Sequence, residues 1–383
     1  MMVYKTFEQV RLFKSNVIVI KMKKGVNMTT QKDRAQGAFI GSLIGEALGV
    51  GPHWYYDLNE LHKEYGTWID DYTDPKADRY HGQLKAGELS QQGWILVKTA
   101  QYLVKEKDYS HDTYFAMMDK EILPQLDGTP MGGYGGYTSQ VMRHLYQKRV
   151  IENKPWDEVS SNSDTTESLE RNIPLAILYA NDLKSLSLLI AKNTAMTQKD
   201  DVVGSLSVAF NLVLAMLIQG EKLDDQLSNK LMKKVYRKEI PFHAVTSSNL
   251  TTPKKGEKAP PNEGLFASPD ALLSPSYMAL AAKDPTIIIE PAWKASLVYG
   301  MPCAIYHMLP AAYYLAARFS DDFESGVLHA INGGGQNQVR AMLTGALIGA
   351  QVGLSQIPKR LINGLKDSDM LIKLAQELSD KIT

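Results

Sequence analysis

Apolar residues recur at helical spacing along most of the chain, and no run alternates with the period of a half-buried strand. Two stretches carry a second rhythm. Gly37, Gly41, Gly45 and Gly49 fall every fourth residue within the apolar segment 33–50, so they share one helical face. Gly345, Gly349 and Gly353 repeat that spacing near the C-terminus. A face of glycines lets a second helix approach closely, and the two striped helices are expected to pack face to face. Further helices are expected over 95–104, 112–126 and 290–318, over 184–219 with a break at Thr197-Gln198-Lys199-Asp200-Asp201, and in a segment ending near Ile177 that Ser163 or Thr165 would cap. Asp33 is placed to cap or oppose the dipole of the first helix, and Gly51-Pro52 ends it. The pattern predicts an all-α fold, a single compact orthogonal helical bundle over residues 32–383.

Composition adds bounds rather than chemistry. A chain of 383 residues, 44% hydrophobic and 22% charged, reads as an ordinary soluble globular protein. Lys+Arg 42 balances Asp+Glu 42, so nothing draws it globally to nucleic acid or an acidic membrane. No apolar run is read as long enough to span a bilayer. One cysteine, Cys303, excludes an intrachain disulfide and a cysteine-rich zinc site; it fits a reducing compartment, and a cytoplasmic location is expected. Cys303 lies in an apolar stretch and is expected to be buried. Residues 1–31 stand apart: Lys5, Arg11, Lys14, Lys21, Lys23 and Lys24 face one acid, Glu8. They read as a transit peptide or as sequence upstream of a start at Met22 or Met28, and the second reading is preferred.

Candidate chemistry gathers at the ends of the striped helices. Asn332-Gly333-Gly334-Gly335-Gln336-Asn337-Gln338 is a polar, glycine-rich entry to a helix, a geometry suited to anionic ligands. Gly334, Gly335 and Arg340 are therefore pocket candidates. His53-Trp54-Tyr55-Tyr56 follows the first helix, and Trp54 and Tyr55 either wall a pocket or pack as ordinary aromatics. The loop 127–137 offers Gly132, Gly133 and Tyr134 for a cleft, without the lysine of a phosphate-binding loop. Asp70, Asp71, Asp74 and Asp78 read as a solvated surface. Asp164, Glu167 and Arg171 either point into a cleft or serve helix capping and an i,i+4 ion pair between Glu167 and Arg171. Residues 246–269 read as a long exposed loop, a lid or an insertion.

Several of these segments resemble one family in order along the chain. Gly45-Glu46-Ala47-Leu48-Gly49 is similar to the "Gly-Asp-Ala-Leu-Gly" signature of the ADP-ribosylglycohydrolase family, and Gly334-Gly335-Gln336-Asn337-Gln338 to its closing "Gly-Gly-Asp-Thr-Asp-Thr". Gly51-Pro52-His53-Trp54-Tyr55-Tyr56 and Arg171-Asn172-Ile173-Pro174-Leu175 resemble the J-crystallin and selenoprotein J branch. The resemblance covers roughly residues 33–365 and implies the same all-α fold. It also implies a cleft for ADP-ribose or a related nucleotide, and a pair of magnesium ions held by aspartates. Ser90-Gln91-Gln92 stands where active members read "Thr-Asp-Asp", and His53 stands about where the family carries a glutamate ligand.

In that register Gln91, Gln92, Gln336 and Gln338 replace the four signature aspartates. A glutamine supplies a neutral amide oxygen, a weaker donor to magnesium than a carboxylate, on a longer side chain. The expectation is a degenerate metal site with no magnesium, in which the amides hydrogen-bond one another, and no cofactor. The resulting reading is a non-catalytic, J-crystallin-like structural or ligand-binding protein. The alternative is an active hydrolase that cleaves the glycosidic bond to ADP-ribose, with magnesium held elsewhere or not used. Its acid or base would come from Glu46, His53, Asp57, Glu88, Asp164 or Glu167, none of which sits at a diagnostic spacing.

Overall fold

The computed structural model describes residues 29–106, 108–242, 254–257 and 270–383. The helices run in order α1 (Gln31–Val50), α2 (Leu58–Tyr65), α3 (Gln91–Lys105), α4 (His111–Met117), α5 (Gln140–Tyr146), α6 (Glu167–Arg171), α7 (Ile173–Leu178), α8 (Leu183–Ala195) and α9 (Asp201–Ile218). They continue with α10 (Leu227–Tyr236), α11 (Asp270–Ala281), α12 (Ala295–Tyr299), α13 (Ile305–Arg318), α14 (Phe323–Ile331), α15 (Asn337–Val352), α16 (Lys359–Gly364) and α17 (Ser368–Ser379). No strand occurs among the described residues, only isolated bridges such as Thr165 to Ala304.

The centre of the bundle is the antiparallel pair α1 and α15. A Cβ added to Gly37 would strike the Gly349 carbonyl, one on Gly41 the Gly345 carbonyl, and one on Gly45 the Ala341 carbonyl. The two backbones therefore touch along the whole interface. Both helices are buried almost end to end, including Phe39, Ile40, Leu43, Leu343 and Leu347. The remaining helices wrap this pair: α13 and α14 lie against α15, α17 lies against α1, and α9 touches both.

Several expectations change in detail. Thr30 caps α1 by accepting from the Asp33 amide at 3.1 Å, and Asp33 instead accepts from Ser355 N and Oγ at 2.9 and 2.8 Å. The α4 helix stops at Met117 and passes through a wider π turn (Met118–Ile122) before a 3-10 turn (Leu123–Gln125). The segment expected to end near Ile177 is two helices, α6 and α7, and neither Ser163 nor Thr165 caps it. Pro174 at the start of α7 cannot donate to the turn before it. The 290–318 stretch breaks between α12 and α13 at Gly300, whose φ is +117°. Among the described residues one helix is long and apolar enough to cross a membrane, contrary to expectation: α9, of which 78% is buried inside the bundle. The leader, apart from its last residues, and most of the 246–269 loop lie outside the described residues.

An alanine in place of a helix-interior glycine ordinarily stabilises by about 1 kcal/mol. At Gly41 or Gly349 the sign should reverse, because the new methyl meets backbone that cannot move aside. Gly41→Ala and Gly349→Ala should each cost about 1–3 kcal/mol in urea unfolding; an unchanged or higher midpoint would show that the two backbones are not in contact.

Candidate functional site

Antiparallel pairing brings the C-terminal end of α1 and the N-terminal end of α15 together. The loops at those ends are stitched by main-chain bonds, Trp54 N to Gly335 O at 3.1 Å and Gly335 N to Tyr55 O at 2.7 Å. Gly334 and Gly335 take φ of +63° and +60°, the left-handed region that glycine enters freely. The buried Arg340 guanidinium staples the same loop, donating to Ala330 O at 3.0 Å and Gly334 O at 2.6 Å. A third helix start, α3, closes in: Ser90 caps it and donates its N–H to Glu46 Oε1 at 3.0 Å. The fourth is α6. Gln198 fixes its approach, donating to Ser163 O and Thr165 O and accepting from Ser168 N.

Between these ends lies a cavity of about 80 Å³ lined by His53, Trp54, Gln92, Tyr137, Ser139, Gln140, Thr165, Thr166, Glu167, Glu170, Cys303, Gln336, Gln338 and Val339. An adjoining pocket shares Gln92, Glu167 and Glu170 with it and is lined further by Ile95, Met118, Met142 and Arg171. No lysine or arginine lines the cavity itself.

One wall is a neutral hydrogen-bonded chain. Gln336 Oε1 accepts from the Trp54 indole N–H and from His53 Nε2, the latter at 2.9 Å. An indole N–H only donates, so the atom it meets is the amide oxygen. His53 Nε2 therefore carries the proton, and its Nδ1 accepts from His81 Nε2 at 2.6 Å. Burial, and then the neighbouring His81, hold His53 well below the usual imidazole range, and burial pushes His81 down to about 4. Trp54 stacks on His53 with ring centroids 4.4 Å apart and meets Tyr137 edge to face at 4.7 Å.

The opposite wall is acidic. Glu167 accepts from the Thr165 hydroxyl. Glu170 is 2% exposed, and its Oε2 has no hydrogen-bond partner. Burial raises both carboxyls, Glu170 to about 8 with Glu167 adding to the shift. Beneath them Glu46 is fully buried and pushed up to about 7 by burial, against hydrogen bonds from Ser90 and Gly93 that favour the anion. Gln338 Nε2 also donates to Glu46, at 3.0 Å. Arg171 is the nearest buried cation; it gives its hydrogen bonds to Asn193 Oδ1 at 2.8 Å and Asn193 O at 2.7 Å rather than pairing with Glu167.

A sequence profile described as ADP-ribosylglycohydrolase matches residues 27–383. The chain belongs to the ADP-ribosylglycohydrolase family. Among its relatives is an uncharacterised protein of Archaeoglobus fulgidus, 21% identical over 348 residues, covering 91% of this chain and 96% of the relative. A solved structure described as an "ADP-ribosylglycohydrolase-related protein complex" superposes with a TM-score of 0.57 at 17% identity, over 92% of this chain and 99% of that one. At that identity the likeness is one of fold.

The family resemblance implies a magnesium pair, and the donors present do not fit one. A hard cation needs oxygen lone pairs that are free to face it. Both lone pairs of Gln336 Oε1 already accept N–H groups. Gln338 turns its N–H toward Glu46, and Gln91 Oε1 accepts from Ser139 N at 3.2 Å without lining the cavity. Among the described residues no group of three or more His, Cys, Asp or Glu is placed to hold a metal ion. The expectation that the amides would hydrogen-bond one another does not hold; Gln91, Gln336 and Gln338 are each taken by a different neighbour.

Of the candidates, His53, Trp54, Gln92, Glu167, Gln336 and Gln338 line the cavity. The others serve the scaffold. Asp57 caps α2, accepting from Asn59 N at 2.8 Å. Glu88 accepts from Lys366 Nζ at 2.6 Å near the surface, and Asp164 from the Tyr306 hydroxyl at 2.8 Å. Tyr55 is buried outside the cavity beneath the Arg79 guanidinium, and Tyr134 stacks on Trp94. Gly132, Gly133, Gly334, Gly335 and Arg340 shape loops without lining the cavity, while Ser90 caps α3 and binds Glu46. Cys303 is half-buried at the cavity edge rather than fully buried. Glu170, Tyr137 and His81 were not singled out from sequence. Glu167 and Glu170 stand three apart, a same-face spacing that could have marked the pair; nothing local marks His81, which sits in a loop otherwise lined by exposed acids.

The buried carboxyls keep protons in the folded state that the unfolded chain loses near pH 4.5, so they lower stability as pH rises through their folded values. The buried histidines act oppositely but only below about pH 6.5, where the unfolded chain takes up protons that His81 and His111 refuse until about 4. Above neutrality Glu170 dominates. Unfolding free energy should fall by about 1 kcal/mol from about pH 7 to about 8.5, and Glu170→Gln should flatten that slope in urea titrations; a flat wild-type profile would contradict the protonated carboxyl.

Proposed function

We propose that this protein is a magnesium-independent member of the ADP-ribosylglycohydrolase family that has given up hydrolysis and serves as a J-crystallin-like structural or ligand-binding protein. The observation that carries this reading is Gln336. Its amide oxygen, at the position of a signature aspartate, is occupied by two fixed N–H donors and offers no lone pair to a cation. Gln338 supports it, since its N–H faces a carboxylate rather than a metal. An amide network on a neutral histidine pair removes the need for cations to balance four clustered carboxylates.

A second reading is favoured by Glu170. A carboxyl that holds its proton up to about 8 is a candidate general acid for metal-free cleavage of a glycosidic bond to ADP-ribose. Its Oε2 is buried without a hydrogen-bond partner, and the residue lines the cavity.

Calorimetry with magnesium chloride, with and without ADP-ribose, separates these readings from the magnesium-dependent activity of the fold. No heat and no thermal stabilisation by magnesium are expected at concentrations up to about 1 mM, roughly 4 kcal/mol of binding free energy. Micromolar magnesium binding would overturn the proposal. Release of ADP-ribose from a modified substrate in the presence of a chelator, lost in Glu170→Gln, would favour the second reading.

A further inference from the structure

The charge of the cavity argues against an anionic ligand. Glu167 and Glu170 line it, Glu46 lies beneath, and the one cation close to these carboxyls is Arg171 in the adjoining pocket. Arg171 is close enough to ease the carboxyls, but its hydrogen bonds are committed to Asn193. A ligand that brings phosphate into this space would face buried carboxyls across a medium that screens them poorly. A cation has the opposite fit.

We infer that the cavity is a binding site for a small organic ammonium ion, seated between the Glu167 and Glu170 carboxyls and the Trp54 and Tyr137 rings. Three observations carry it. Glu170 lines the cavity and its buried Oε2 has no hydrogen-bond partner, and a buried carboxylate oxygen without a donor is costly unless something arrives to satisfy it. Gln338 donates through Nε2 to Glu46, so its Oε1 stays an acceptor beside the carboxyls. A primary ammonium has three N–H donors and no acceptor, matching Glu170, Glu167 and Gln338 in number and kind. Trp54 and Tyr137 complete the lining, Trp54 stacked on His53 and edge to face with Tyr137. The volume of about 80 Å³ has room for an alkylammonium of a few heavy atoms.

The inference rests on the metal-free reading of the cleft, since bound magnesium would occupy the same negative space. It also names the ligand class that the reading leaves open. Binding places a charge opposite Glu170 and favours its ionised form, so the complex releases a proton from a carboxyl that the free protein holds.

The test is a titration of the full chain with ethylammonium chloride, followed by the indole N–H resonances, with sodium chloride at equal ionic strength as the control. Ethylammonium should shift the Trp54 indole signal with a dissociation constant of about 1 mM, the range that ligand size permits. Glu170→Gln and Glu167→Gln should each weaken binding about tenfold or more, the loss of one charge-assisted hydrogen bond. Circular dichroism of both variants confirms that the helices persist. No shift in the folded wild type, or equal affinity in the folded variants, overturns the inference. Magnesium binding by calorimetry would instead sink the metal-free reading, so the two failures are told apart.

Discussion

Backbone contact between α1 and α15 is the constraint from which the rest of the structure follows. Carbonyls of Gly349, Gly345 and Ala341 occupy the space that side chains at Gly37, Gly41 and Gly45 would need. Nothing larger fits, so the helices lie in one antiparallel register. That register alone brings the loop after α1 to the loop before α15, although residues 54 and 335 are far apart in the chain. The cleft is thus a by-product of helix packing, and its precision is inherited from the most buried part of the bundle. Loops held this way need few contacts of their own, and Arg340 supplies the main one from beneath.

Electrostatics explains why the cleft tolerates its composition. Glu46, Glu167 and Glu170 are all buried, with Arg171 as the neighbouring cation. Full ionisation would leave unbalanced charge at low dielectric. Protons resolve the problem, since burial raises all three carboxyls. The glutamines work in the same direction. Each places a neutral group where a carboxylate would have added charge, and each finds a donor or acceptor among its neighbours. The histidine pair is likewise neutral, because His53 has one nitrogen donating to Gln336 and the other accepting from His81. The wall it forms is polar without being charged.

The glycine stripes were legible because their signal is local and periodic, and the packing they imply needs no other information. The helix start at Gln91 was not legible in that way: the pattern predicted a helix over 95–104, and Ser90, read as part of the metal motif, caps a helix that begins four residues earlier. The site was legible in part. His53, Trp54, Gln336 and Gln338, singled out at the ends of the striped helices, line the cavity. Glu46 belongs to the same motif yet is buried below, because α3 docks its N-terminus over that carboxylate. Asp57 and Glu88 were candidates on chemistry alone, and the structure assigns them to a helix cap and a surface ion pair. Glu167 and Glu170 stand three apart within α6, a same-face spacing visible in the sequence, but only the fold turns that face toward the cavity.

Sequence by itself determined that this chain is helical and which two helices form its centre. Those features depend on residue type and on spacing over a turn or two of helix. Only the tertiary structure decided which polar groups share the cleft. His81 comes from a surface-like loop, Tyr137 from a glycine-rich turn and Glu170 from a short interrupted helix, and no periodicity links them. Their meeting is set by contacts across hundreds of residues. The protonation of the buried acids follows from that enclosure, because the cost of a charge depends on what surrounds it and not on the residue that bears it.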